Sequence, residues 1–268
     1  MSYLACMSDD TTKDWLRDGP EAGPDPLKAV RSQSRPALPK RFYKEAGYVG
    51  GEGGFRLTLD GRPANTPARN PLAVSSEALA GLLAAEWGAQ GEAIDPATMP
   101  VTRLVNTTLD GVVPRRAAVV EDLAAYAGTD LLAYRAESPE RLVTAQAAAW
   151  DPVLDWARDE LGARPILSEG VMHVTQPEES VAALRGAIEA VDSPFRLAAL
   201  HTLTTLTGSL ILALAVLHGR LDPAEAWAAA HVDETYQAEA WGRDAEAEER
   251  LARRRAEFEA AAAVAALA

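Results

Sequence analysis

The sequence predicts an α+β protein: a small β-containing N-terminal domain followed by a larger, mainly α-helical bundle domain. Three observations carry this expectation. Short alternating apolar segments joined by glycine turns are confined to residues 40–74. From Ser75 onward, a capping residue or a helix-start proline recurs nearly to the C-terminus. The chain is alanine-rich with only 6% aromatics, and alanine is the strongest helix former.

Residues 1–39 are polar, rich in Pro and Gly, and without sustained periodicity, so they read as a flexible N-terminal arm with a short helical turn around Trp15 and Leu16. Residues 40–112 form the expected β-containing domain with flanking helices. Phe55, Leu57 and Leu59 alternate with Arg56 and Thr58, and Asp60-Gly61 follows as a hairpin turn. The glycines from Gly50 to Gly54 mark another tight connection, and Pro63, Pro67 and Pro71 keep the chain extended. Ser75 or Ser76 then caps a helix carrying Leu79, Leu82, Leu83 and Trp87 on one side. Asp95-Pro96 and Pro100 open two further short elements.

Residues 113–268 form the expected helical domain. Pro114 starts a helix bearing Val119, Val120, Leu123 and Tyr126. Ser138-Pro139-Glu140 and Asp151-Pro152 each read as a cap followed by proline at the first helical position. A β-like stretch spans residues 164–174, and Pro177 and Ser193-Pro194 start two more helices. The long apolar run from Leu197 to Leu217 would suffice in length for a membrane span. It holds His201, several threonines, Gly208 and Ser209 and lacks interfacial anchors, so one central core helix is expected instead. Asp222-Pro223-Ala224-Glu225 opens a helix expected to reach Trp241, with Gly242 as its stop. Asp244 caps a last helix whose thin apolar face places it on the surface, with Glu246–Arg250 and Glu249–Arg253 at i,i+4 spacing.

A formal charge of −13 argues against nucleic acid and anionic membrane surfaces and favours a basic protein partner. Cys6 is the sole cysteine, so no intrachain disulfide can form, and a reducing, cytoplasmic setting is expected. No secretory signal is legible at the N-terminus. The four histidines, His173, His201, His218 and His231, show no metal-ligand spacing, and no phosphate loop or nucleophile elbow occurs. No catalytic, cofactor-binding or metal residue is therefore assigned, and no enzyme activity or cofactor is expected. Val232 to Arg250 stands out. On a helix, Trp227, His231, Glu234, Ala238 and Trp241 fall along one stripe, and Val232, Tyr236 and Glu239 along another. Two readings stay open: an amphipathic packing helix with Trp227 and Trp241 buried, or a recognition surface of aromatics and placed acids.

Several dispersed motifs together resemble the assembly chaperones of the F-type ATP synthase head, F(1), that act on its α subunit in mitochondria and alphaproteobacteria. They begin with Lys40-Arg41-Phe42-Tyr43-Lys44, Leu59-Asp60-Gly61-Arg62-Pro63 and Thr66-Pro67, then Glu86-Trp87, Gln90, Pro96, Met99-Pro100 and Asp110. They continue with Tyr126, Thr129-Asp130-Leu131-Leu132, Gln146, Trp150-Asp151-Pro152, Trp156 and Thr207-Gly208-Ser209-Leu210. Glu225-Ala226-Trp227, Asp233-Glu234, Gln237, Glu239 and Trp241-Gly242 complete the match. The resemblance implies a two-domain bacterial chaperone that binds the free α subunit and prevents its aggregation until β arrives. It implies a partner-binding role for Glu239, with Asp233, Glu234, Tyr236, Gln237 and Trp241 as neighbours, and a monomer that does not enter the membrane. Glu239, if partly buried, would pair with a client cation. Two rival readings are a helical enzyme with a carboxylate and His173 or His201 between domains, and an adaptor for another client.

Overall fold

The computed structural model describes residues 38–170, 173–242 and 244–268; all but the last two residues of the expected arm, with Cys6 and the turn at Trp15 and Leu16, lie outside them. Strand β1 (Ala46–Gly51) runs antiparallel to β2 (Gly54–Leu59), from Ala46 opposite Leu59 to Gly51 opposite Gly54. Two short strands share the other edge of β2: β3 (Arg62–Pro63) at its C-terminal end and β4 (Ala73–Val74) at its N-terminal end. The turn between β2 and β3 has positive φ at both Asp60 (49°) and Gly61 (74°), the geometry that matches strand twist in a two-residue hairpin. Asp60 is further fixed by the backbone N–H groups of Glu45 and Lys44, which hold its carboxyl below the usual value.

Helix α1 (Glu77–Gly88), capped by Ser76, covers this sheet, burying Leu79 and Leu83 with Leu57, Leu72 and Val74. A short 3₁₀ turn, Pro96–Thr98, leads into α2 (Pro100–Thr107). Both carboxylate oxygens of Glu86 accept N–H groups at the start of α2, from Val101 (2.9 Å) and Thr102 (2.7 Å), so α1 caps its neighbour. The chain passes through a π-turn, Thr108–Val112, into α3 (Arg116–Tyr126). Asp110 accepts from the Thr66 hydroxyl (2.6 Å) and the Asn70 amide (2.8 Å), bracing that turn against the loop before β4.

Helix α4 (Glu140–Trp156) corrects two sequence expectations. Pro139 itself occupies the cap position with extended backbone, so it is not the first helical residue. Asp151-Pro152 starts no helix, because Pro152 sits inside α4. Pro152 gives up one intrahelical donor, and the two residues before it are fastened from outside. Trp150 donates from Nε1 to the Ala229 carbonyl at 2.7 Å, and Asp151 accepts from Arg135 at 2.6 Å. The β-like stretch reduces to β6 (Ser168–Glu169), parallel to β5 (Tyr134–Arg135). Helix α5 (Glu178–Glu189) then packs against α3.

The apolar run is two helices rather than one. Helix α6 (Pro194–Thr207) ends at Gly208, whose φ of 71° only glycine adopts freely, and Ser209 caps α7 (Leu210–Leu217). Asp130 enforces the break. Its fully buried carboxylate accepts from the Ser209 hydroxyl (2.7 Å) and the Ile211 N–H (3.0 Å), groups a continuous helix would direct elsewhere. No helix among the described residues is long and apolar enough to cross a membrane.

Helix α8 (Pro223–Ala230) opens with the expected Asp222–Glu225 capping box. It stops short of Trp241: His231, at φ −118°, breaks the path into α8 and α9 (Val232–Trp241). Helix α10 (Ala245–Leu267) is a surface element only in its first half. Phe258, Ala261, Ala262, Val264 and Ala265 of its second half are buried against α6, α2 and α8. The chain end returns to the sheet, where the Ser76 hydroxyl donates to the Leu267 carbonyl and Arg103 pairs with Glu257 at 2.9 Å. The fold class is therefore α+β, with a small sheet near residues 46–74 and a helical bundle after it.

Candidate protein-binding surface

The surface is built outward from α4. Trp150, 1% exposed, holds the end of α8 through the Ala229 carbonyl. Trp227 packs against His231 (3.9 Å between centroids) and Phe258 (5.2 Å), while His231 Nδ1 meets the Trp227 carbonyl at 2.8 Å. One turn earlier in α4, Gln146 donates to Asp233 at 2.7 Å and accepts the Ala136 N–H at 2.8 Å. These contacts fix where α9 begins and how it points.

Beyond that anchor, α9 contributes no buried residue at all. Its rear leans on α4: Tyr236 is half-buried, with the Arg141 guanidinium 5.8 Å from its ring centre, and Arg141 donates to Glu239 at 2.6 Å. Glu239 is an exposed acid, so the condition of partial burial set for it is not met. Its side chain is 52% exposed and Arg141's is 75% exposed. The front of α9 carries the other stripe, Glu234, Ala238 and Trp241. Trp241 is 79% exposed, so the reading that buries both tryptophans fails; of the two, Trp227, at 7%, is buried. The break at His231 explains the divergence, since residues before and after it no longer share one helical face.

Gly242, at φ 93°, turns the chain, and Asp244 caps α10 through the Glu246 N–H. The first turns of α10 stand clear of the core and are laced by Glu246–Arg250 (2.9 Å) and Glu249–Arg253 (3.1 Å). Between the two helices lies a cleft of about 560 Å³ with Ala238, Trp241, Ala247 and Leu251 as its apolar lining. Glu234, Glu239, Asp244 and Glu248 add carboxylates, and no Lys or Arg lines it among the described residues. Of the six site residues read from the sequence, Glu234, Gln237, Glu239 and Trp241 line the cleft, whereas Asp233 and Tyr236 face α4. Arg141 and Leu251 went unnoticed in the sequence, where each looks like any helical Arg or Leu.

The histidines do not converge. His201 pairs with Asp122 at 2.7 Å, His173 lies 3.2 Å from the Tyr134 hydroxyl, and His218 faces Trp156. Among the described residues no cluster of three His, Cys, Asp or Glu is placed to hold a metal ion.

The crystal structure of an Agrobacterium tumefaciens protein regarded as a chaperone matches with a TM-score of 0.83 and 51% identity, over 92% of each chain. Atp12 from Paracoccus denitrificans matches at 0.79 and 46%, over 85% of this chain and 98% of its own. The family model described as ATP12 chaperone protein matches residues 40–158. This chain belongs to the ATP12 chaperone family. A more distant member, "Protein atp12, mitochondrial" of Schizosaccharomyces pombe, is 25% identical over 215 residues, which are 76% of this chain and 74% of that one. The family model and the Agrobacterium protein are named as chaperones, and this chain is a chaperone rather than an enzyme. The residues that carry the resemblance read from the sequence divide by role. Glu86, Asp110, Asp130, Gln146 and Trp150 are internal fasteners, each with its hydrogen-bond partners inside the fold. Glu234, Gln237, Glu239 and Trp241 are exposed.

Proposed function

We propose that this ATP12-family chaperone serves assembly of the F-type ATP synthase F(1) sector in the cytoplasm. As a monomer, it holds the free α subunit and prevents its aggregation until β takes its place. The observation that carries the reading is α9, a helix anchored from behind yet buried nowhere, with a bare tryptophan at its end. A chaperone for one folded subunit needs such a surface: fixed in shape, apolar at the centre and charged at the rim. Glu239 is the client-facing acid, with Glu234, Gln237 and Trp241 beside it; Asp233 and Tyr236 hold the helix that presents them. The expected β-containing portion (residues 40–112) and helical portion (113–268) act as one support, because α10 reaches back to both. The test measures aggregation of isolated α subunit in the presence of wild type, Glu239→Gln and Glu239→Lys. Both variants should melt like wild type and protect less, Lys least of all. Equal protection by all three removes Glu239 from the interface.

A further inference from the structure

Arg141 and Glu239 pose a question that the fold does not answer. Their pair is exposed on both sides, and exposed pairs contribute about 0–1 kcal/mol. The anchoring of α9 already rests on Gln146 and Trp150. The pair does display a small receptor, in which a carboxylate at 2.6 Å and an aromatic ring at 5.8 Å share one guanidinium. Of this seat Glu239 lines the cleft, while Tyr236 and Arg141 lie on its α4 side.

The cleft itself restricts its occupant. Both walls are helices, whose backbone groups are internally bonded, so an extended segment would find no ladder to join. A helix brings its own satisfied backbone and needs only side-chain contact. Wall α9, with 10 residues, is about 15 Å long, which matches roughly three turns of a docked helix. Ala238 and Ala247 keep the two walls low enough for close approach, and Trp241 and Leu251 supply the apolar contact. An aromatic of this size left 79% exposed is the kind of side chain that becomes a binding anchor. A small molecule is disfavoured, because the cleft's acids stand in solvent instead of converging from buried positions. The surrounding carboxylates and the chain's net charge of −13 select a cationic visitor.

We propose that the α9–α10 cleft receives an amphipathic helix bearing Arg or Lys on its flank, and that Arg141 is the resident cation this helix displaces from Glu239. The inference rests on reading α9 as a client surface, but its test needs no natural client. The full chain is mixed with a synthetic amphipathic helix of Leu, Ala and Arg, about 15 residues long so that it can span the cleft. A second peptide carries Glu in place of Arg. Affinity and amide exchange over residues 232–251 are measured for both.

The Arg peptide should bind and protect that segment, and the Glu peptide should not. Trp241→Ala should weaken binding about thirtyfold, as loss of an anchor does. Arg141→Ala should tighten it about two- to fivefold, the worth of an exposed pair. With Glu239→Gln in the background, that gain should vanish. All three positions are exposed, so unchanged melting curves confirm that the fold is intact. Equal binding of both peptides, protection elsewhere, or no tightening by Arg141→Ala overturns the inference. The same variants are then assayed with isolated α subunit. Peptide capture in the cleft without α-subunit capture would sink the client assignment and leave this inference standing.

Discussion

Helices α7 and α9 are close in length, 8 and 10 residues, and each follows a break in the chain. Seven of the eight α7 residues are buried, and none of α9 is. Both are positioned by a polar group from another part of the chain: buried Asp130 for α7, and Gln146 reaching Asp233 for α9. An isolated helix this short is marginal in water, so each depends on what fastens it. In α7 the fastening is followed by apolar burial, which stabilises the whole bundle. In α9 it is followed by nothing, and the free face stays available. Stability and recognition therefore sit on separate helices, and a substitution should disturb one without the other.

The strongest challenge to that separation is Trp150, which is buried in the core and also holds the end of α8, just before α9. Trp150→Ala removes a side chain 1% exposed together with its bond to Ala229. It should cost about 3–5 kcal/mol, seen in calorimetry as a fall of roughly 10–15 °C. It should also speed amide exchange along α9, because the end of α8 is released. Asp130→Ala comes next. It strands the N–H groups of Leu132 and Ile211 in the core and should cost about 2–3 kcal/mol, with α-subunit protection intact at temperatures where the variant is folded. Trp241→Ala inverts the pattern: stability should stay within about 0.5 kcal/mol of wild type while α-subunit binding drops. A large melting shift for Trp241→Ala, or lost binding in folded Asp130→Ala, would show that the two functions are not separable.

Asp130 also gives the comparison a pH signature. Burial raises its pKa above the usual carboxylate value, against the opposing hydrogen bonds from Ile211, Ser209 and Leu132. The folded chain thus holds that proton more tightly than the unfolded chain. The resulting stability is full below the unfolded carboxylate's pKa and is lost as pH rises through the raised folded value. Unfolding free energies of wild type and Asp130→Asn, measured across that window, should show the wild type's advantage shrinking as pH increases. The smallest effect belongs to Arg141→Ala, whose exposed pair should move the melting temperature by no more than about 2 °C.

The elements most legible in the sequence were those fixed by local chemistry. Asp60-Gly61, the Ser76 cap, the Asp222–Glu225 box, Ser193-Pro194 and the Gly242 stop all act within a few residues of themselves. What misled were positions decided from a distance. Pro152 lies inside α4, where Ala229 and Arg135 hold its neighbours from other parts of the chain, and Gly208 divides the apolar run because Asp130, far away in sequence, claims the next N–H groups. Trp241 and Trp227 looked equivalent on a helical wheel until His231 rotated one away from the other. The candidate site was half legible for the same reason. Its acids and its tryptophan lie together in one segment, while Arg141 arrives from another helix and carries no local mark.

Helix α10 is a single beam of 23 residues, about 35 Å long. Its outer end forms one wall of the cleft, and its inner end is tied to Ser76 beside the sheet. A beam clamped at one end and loaded at the other transmits torque. A partner prying at the outer turns would load the buried inner half, and the tie at Ser76 would feel that load about six turns away, at the opposite end of the same rod.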